Sequence, residues 1–254
     1  MAEILAVVNQ KGGVGKTTTS VNLGGYLAQA GRRTVVVDMD PQANATAGLG
    51  IEVAEGSPTV YEMLLQQVTA SEALKATYQK NLNALPSTPD LVGAAIELMD
   101  QPHREYRLRR ALRDLHEHFD MILIDCPPSL GLLTVNALAA ADRVLIPVQC
   151  EFYELEGLKQ LLQTVEMVKQ HLNPNIQVLG AVLTMYDRRT ALSRKVVREV
   201  RRSFPGHVFD SVIPRNTELA EAPQTGRTIV DYAKHSRGAK AYEHLSEELL
   251  SLYK

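Results

Sequence analysis

Asn9-Gln10-Lys11-Gly12-Gly13-Val14-Gly15-Lys16-Thr17-Thr18 is the stretch that decides the fold of this chain. Before it runs Ile4-Leu5-Ala6-Val7-Val8, an uninterrupted apolar segment that reads as a buried strand. After it, from about Thr17 to Ala30, Val21, Leu23, Tyr26, Leu27 and Ala28 fall at helical spacing, and Gly31 is a natural C-cap. Strand, glycine-rich turn and helix in that order are the context of a phosphate-binding loop. The residues Lys11, Gly12, Gly13, Val14, Gly15, Lys16, Thr17 and Thr18 are therefore expected to hold a nucleotide. The glycines let backbone N–H groups approach phosphate oxygens, Lys16 brings a cation to the terminal phosphates, and the Thr17 hydroxyl suits Mg²⁺. One position departs from the general pattern: Gln10 stands six before Lys16, where a glycine is expected, and a second lysine, Lys11, follows it.

Working outward, 254 residues suit a single α/β sheet. No apolar run approaches the ~20 residues of a membrane span. A strand begins within three residues of the N-terminus, with no charged segment and apolar core of a secretory signal. Cys126 and Cys150 have no metal-ligand spacing and each follows an apolar strand, so buried or half-buried free thiols in a cytoplasmic, reducing compartment are expected.

Further strands are predicted at Thr34–Asp38, Leu82–Leu85, Asp120–Asp125, Arg143–Val148, Ile176–Thr184 and His207–Ile213. Helices are predicted at about 58–66, 70–77, 90–99 and 102–118, one ending near Ala141, then 154–171, 192–204 and 238–253. Residues 44–60, rich in glycine and other small residues, read as a mobile connection. Strands alternating with helices give one domain over 1–254 with a doubly wound, mostly parallel sheet flanked by helices. Asp38 and Asp40 end one strand and Asp125 another, and open α/β sheets bind ligands at that end of their strands. One such aspartate alone is an ordinary loop residue; three beside one phosphate loop read as catalytic.

Lys-Gly-Gly-Val-Gly-Lys-Thr-Thr at 11–18, Asp-Met-Asp-Pro-Gln at 38–42, Asp-Cys-Pro-Pro-Ser-Leu-Gly at 125–131 and Ile-Pro-Arg-Asn at 213–216 resemble the deviant Walker A branch of P-loop ATPases, the ParA/MinD family, and within it the small chromosomal ParA/Soj type. The resemblance spans nearly the whole chain and implies ATP and Mg²⁺ as cofactors. It implies that Lys16 faces its own nucleotide while Lys11 reaches across a homodimer to the partner's, and that hydrolysis is slow. Asp125 becomes a Walker B residue holding Mg²⁺ opposite Thr17, and Asp40, near the metal, positions the attacking water. The 125–131 segment becomes a switch responding to the γ-phosphate. Met185 and Pro214 would sandwich the adenine, with Asp187, Arg215 and Asn216 beside it. Glu151 and the Tyr153–Gly157 segment would lie at the dimer face.

Residues 188–202 carry seven basic side chains and one acid, a local net of +6 that leaves −8 for the other 239 residues of a chain whose total is −2. Arg194, Arg198, Arg201 and Arg202 fall near one helical face, with Leu192, Val196, Val197 and Val200 on the inward side. A charged helix alone is usually just a solvated face. Together with the resemblance, Arg188, Arg189, Arg194, Lys195, Arg198, Arg201 and Arg202 are expected to bind double-stranded DNA through phosphates, without base reading. Arg104, Arg107, Arg109, Arg110 and Arg113 mix with acids and read as a solvated helix.

The resemblance further implies a ParB-type centromere-binding partner, a nucleoid-associated location in the cytoplasm and a role in chromosome or plasmid segregation. No N-terminal helix-turn-helix domain is expected. Two rivals remain. A MinD-like membrane-positioning ATPase would need a basic amphipathic C-terminal helix, whereas 243–254 is mostly acidic, and Leu245, Leu249 and Leu252 are expected to pack inward. An iron-protein-like ATPase would need two well-placed cysteines, which Cys126 and Cys150 are not.

Overall fold

A computed structural model describes residues 1–151 and 154–253. The order of elements is β1 (Glu3–Val7), α1 (Lys16–Gln29), β2 (Thr34–Asp38), α2 (Asn44–Gly48), α3 (Val60–Leu64), α4 (Ala70–Ala73), β3 (Lys75–Ala76), β4 (Leu82–Leu85), α5 (Leu91–Glu97), α6 (Arg107–Ala111) and β5 (Met121–Asp125). There follow α7 (Leu132–Ala140), β6 (Arg143–Gln149), α8 (Glu154–His171), β7 (Gln177–Tyr186), α9 (Ala191–Ser203), β8 (Val208–Pro214), α10 (Thr217–Glu221), α11 (Ile229–Tyr232) and α12 (Arg237–Ser251). The strands form one sheet in the order β3-β4-β2-β5-β1-β6-β7-β8, parallel throughout except for the β3–β4 pair.

Alternation along the strands divides the core in two. Val35, Val37, Ile122, Ile124, Val144 and Ile146 face one side, with α3, α5, α7 and α8 packed there. Leu5, Val7, Val36, Leu123 and Leu145 face the other, against α1 and α12. The strand order reverses between β5 and β6, on either side of β1. The loop after β1 therefore opens at the switch point of the sheet, where ligands of open α/β folds bind.

Several expectations change. Residues 44–48 are helical, because the Thr46 N–H and hydroxyl both donate to the buried Asp38 carboxylate at 2.8 and 2.7 Å. The predicted helix at 70–77 ends at Ala73, and Lys75–Ala76 pairs antiparallel with β4. The helix predicted at 102–118 is broken into two 3-10 turns around α6, entered through a left-handed His103 with φ 57°. Arg107 there is buried rather than solvated, donating to Gln66 Oε1 and the Pro102 carbonyl. Leu192 and Leu252, both expected inward, are 42% exposed. Leu245 and Leu249 are fully buried, each worth about 1.5–3 kcal/mol of burial, and they hold α12 to the domain. From the next turn of α12, Glu248 accepts the backbone N–H groups of Asp210 and Ser211 on β8 at 2.8 and 3.1 Å. Cys126 and Cys150 are buried and form no disulfide, as expected.

The 217–232 segment, for which the sequence offered no element, folds as α10, a 3-10 turn and α11, and it packs against α2. Gly50 and Gly226 meet there, at φ 70° and 65°, and a Cβ on Gly226 would lie 2.6 Å from the Gly50 Cα. Gly226→Ala therefore combines a left-handed backbone with a backbone clash. It is expected to cost about 1–3 kcal/mol, lowering Tm by roughly 3–10 °C in a thermal melt. An unchanged Tm would show that the two turns are not tightly held.

Candidate active site

The glycine loop is shaped by its backbone. Gly13 and Gly15 have φ of 74° and 91°, and Gly15 is the left-handed N-cap residue of α1. A β-carbon is strained in that region, so glycine is required at both positions. Two hydrogen bonds fasten the loop to neighbouring strands and a third braces it internally. Asn9 Nδ2 donates to the Pro147 carbonyl at 2.7 Å, Asn9 Oδ1 accepts the Lys11 N–H at 3.0 Å, and the Thr184 hydroxyl donates to the Val14 carbonyl at 2.8 Å. Lys16 is nearly buried and its ammonium arches over the loop to the Lys11 carbonyl at 3.0 Å. Burial lowers its pKa, and the nearby Asp125 opposes that shift.

The far wall is Asp125. The Thr17 hydroxyl donates to its Oδ2 at 2.7 Å and the Ser20 hydroxyl to its Oδ1 at 2.9 Å. Asp38 lies directly beside it in strand register. Burial pushes the Asp125 carboxyl up to about 7, with the Asp38 charge adding to the rise, and that of Asp38 up to about 6, with the Asp40 charge adding there. The fully buried Asp125, next to a hydroxyl and at the mouth of an amide-lined loop, fits a hard dication such as Mg²⁺. Thr17 and Asp125 are the residues that would hold it.

Asp38 accepts the Asp40 N–H at 3.1 Å as well as both Thr46 donors. It braces the turn, and Asp40 is left to line the cavity. That cavity, about 630 Å³, is bordered by Gly12, Gly13, Gly15, Lys16, Thr17, Thr18, Asp40 and Met185. Asn22, Pro128, Gln224 and Arg227 also border it. Next to it a slot of about 220 Å³ lies between the ends of β7 and β8, lined by Gly15, Thr18, Met185, Pro214, Arg215 and Asn216. Met185 sits at φ 52°, and the Arg215 N–H donates to the Tyr186 carbonyl at 3.0 Å, tying the two loops together. Leu219 and Tyr242 complete the slot wall, with the Tyr242 hydroxyl 3.1 Å from that of Thr19.

Asp187, expected beside the base, lies in a wider outer groove that Pro214, Arg215 and Asn216 also line. Its carboxylate takes Arg189 Nη2 at 2.8 Å and the Arg189 N–H at 2.9 Å, which hold it down at about 2. Ser20 and Gln224 escaped sequence reasoning, as did the place at this cavity of Arg227, which the sequence offered only as a candidate DNA contact. Ser20 could have been found by its place one helical turn after Thr17; the other two sit on turns that no local pattern announces. Glu151 pairs with Arg215 at 2.8 Å. Tyr153, of the segment expected at a subunit face, lies outside the described residues.

Along α9 the basic side chains divide into two groups. Arg189 pairs with Asp187, Arg201 with Asp210 at 2.8 Å, and Arg194 donates to the Arg188 carbonyl. Arg188, Lys195, Arg198 and Arg202 are exposed, and among the described residues none has a carboxylate within ion-pair distance.

The raised pKa of Asp125 sets a pH dependence. The folded chain keeps a proton that the unfolded chain releases above about pH 4, so the associated stability is complete below pH 4 and is lost as pH rises through about 7. In urea titrations with EDTA, wild type should lose about 2 kcal/mol more between pH 5 and pH 8 than Asp125→Asn. Equal losses would mean that this carboxyl is not titrating over that interval.

Comparison with known proteins agrees with this geometry. The model of a family described as an AAA domain matches residues 2–178. The sporulation initiation inhibitor protein Soj of Bacillus subtilis is 53% identical over 249 residues, spanning 98% of each chain. The chromosome-partitioning ATPase Soj of Treponema pallidum is 48% identical, over 99% of this chain and 98% of its own. Among solved structures, cobyrinic acid a,c-diamide synthase from Mycobacterium smegmatis with bound ADP and magnesium superposes with a TM-score of 0.88 at 41% identity, over 100% of this chain and 96% of that one. The loop, the buried aspartates and these full-length likenesses have one reading: the chain belongs to the ParA/Soj family of chromosome-partitioning ATPases.

Proposed function

We propose that this protein is an ATP-driven DNA-segregation switch that hydrolyses ATP to ADP and phosphate as a dimer and holds DNA non-specifically between hydrolysis events. The observation that carries the reading is the bracket of Thr17 and Ser20 on the buried Asp125, with Thr17, Lys16 and Asp40 lining one cavity. The backbone N–H groups of Gly12, Gly13 and Gly15 take phosphate oxygens, and the Lys16 ammonium neutralises the terminal phosphates. Thr17 and Asp125 would hold magnesium, which when bound would supply charge neutralisation to the phosphate oxygens. Asp40, its backbone braced by Asp38, orients the attacking water. Met185 and Pro214 flank the base, with Arg215 and Asn216 at its edge. Lys11 from a second subunit completes the charge balance, so hydrolysis waits on dimerisation.

DNA phosphates are met first by Arg188, Lys195, Arg198 and Arg202. Arg189, Arg194 and Arg201 contribute less, because their guanidinium groups are already engaged. A ParB-type protein bound to a centromere is the partner that stimulates turnover and releases the dimer. The membrane-positioning alternative has little to work with: Leu245 and Leu249 on α12 are buried, and no helix among the described residues is long and apolar enough to cross a membrane.

Three experiments test this reading. DNA binding measured with and without ATP at two salt concentrations should appear only with ATP and fall steeply with salt. In Lys195→Ala/Arg198→Ala the salt slope should drop by about 2, against a smaller change in Arg201→Ala. Binding that ignores ATP would sink the switch. Asp40→Ala should keep ATP binding and dimerisation while losing turnover by about 10²-fold or more. Lys11→Ala should keep ATP binding but lose dimerisation, turnover or both. Normal turnover by Asp40→Ala would remove the water-orienting role.

A further inference from the structure

One helix face is apolar where it meets water. Val92, Ile96 and Met99, at successive spacings of four and three, line one side of α5 and the turn after it, 54%, 63% and 56% exposed. The opposite side carries Leu91, Ala94 and Leu98, all buried. The helix is firmly seated. Its Glu97 accepts the Tyr61 hydroxyl at 2.6 Å, and a Cβ on Gly93 would touch the Tyr61 ring at 3.4 Å. The other large apolar side chains exposed among the described residues, such as Tyr78, Met167, Leu192 and Leu252, are scattered singly over other elements. Single exposed hydrophobics need no explanation, whereas a clustered stripe marks an interaction surface.

The border of the stripe says what fits it. From Ser87 to Asp100 the chain holds Asp90, Glu97 and Asp100, all exposed, and no Lys, Arg or His. The neighbouring Arg104, which donates to the Met99 carbonyl, is itself paired with Glu105 at 3.0 Å. An acidic rim repels DNA and anionic lipid. A second copy docked face to face would set one acidic rim against the other, a like-charge contact that costs several kcal/mol. The complementary occupant is a helix with apolar residues at three- and four-residue spacing and Lys or Arg beside them.

We propose that the Val92–Ile96–Met99 face of α5 is a docking surface for a short, basic, amphipathic helix of another protein. The surface is wired to the nucleotide side. On the loop leading into α5, the Ser87 N–H donates to Thr46 Oγ1 at 2.9 Å, and that hydroxyl donates to Asp38 at 2.7 Å.

The test uses the full chain and two fluorescein-labelled 14-residue helices, one of leucine and lysine in heptad spacing and one with glutamate in place of lysine, titrated by anisotropy at two salt concentrations. The lysine peptide should bind wild type, more weakly at high salt, and at least tenfold more weakly to Ile96→Lys/Met99→Lys. Val92→Lys serves if the double variant melts early. Leu192→Lys, a remote exposed leucine, should bind as wild type does, and the glutamate peptide should not bind. Equal binding by wild type and both stripe variants, no binding by wild type, or equal binding of the glutamate peptide would each overturn the proposal. Self-association in sedimentation, or flotation with anionic vesicles, that the stripe variants abolish would assign the face to a second copy or a membrane and overturn it as well.

Discussion

Everything at the nucleotide end of this sheet turns on one buried carboxylate held by two hydroxyls. Thr17 and Ser20 lie one helical turn apart at the start of α1, and both donate to Asp125 at the end of β5. Strand pairing cannot set where a helix begins relative to a neighbouring strand; this bracket does. It fixes the helix N-terminus, and with it the left-handed Gly15 and the arch of Lys16. The cost is a charge without water, shown by the upward shift of Asp125 and of its neighbour Asp38. Such a pair is poor material for stability and good material for binding a cation and phosphates.

Around that centre the chain uses acids in two distinct ways. Asp38 is structural: its three accepted hydrogen bonds fold the 40–48 segment into a turn and a helix. Asp187, Asp210 and Glu151 act on the basic surface, each engaging an arginine. The positive charge concentrated in 188–202 is thus partly spoken for. What remains free is a narrower set on α9, and this sharpens the reading of the surface from a count of charges to particular side chains.

The sheet, the phosphate loop and the strand-end aspartates were legible because each has a local signature: apolar runs of strand length, glycines at fixed offsets, a carboxylate closing a strand. What was not legible depended on contacts between distant segments. The helix at Asn44–Gly48 exists because Thr46 finds Asp38, and small residues alone look like a loop. The break at 102–107 follows from Asn136, which takes the Leu108 N–H and gives its amide to the Arg104 carbonyl, 28 and 32 residues away. Asp187, read toward the base, also holds Arg189, two residues on, a local pairing that the motif did not announce. On α9 the buried face runs through Ser193, Val196 and Val200, and Leu192, one residue before it, falls to the side of that face, so its apolar character overstates its burial.

The two outer strands are treated differently from the rest. One edge ends in β3, only two residues long, and the other in β8, whose outward N–H groups at Asp210 and Ser211 are taken by Glu248 from α12. An uncovered edge is a template on which another chain can add a strand. Here one template is too short to use and the other is already occupied by a side chain. Any association of one copy with another is therefore steered toward side-chain surfaces, and the route of sheet extension is closed from within the fold.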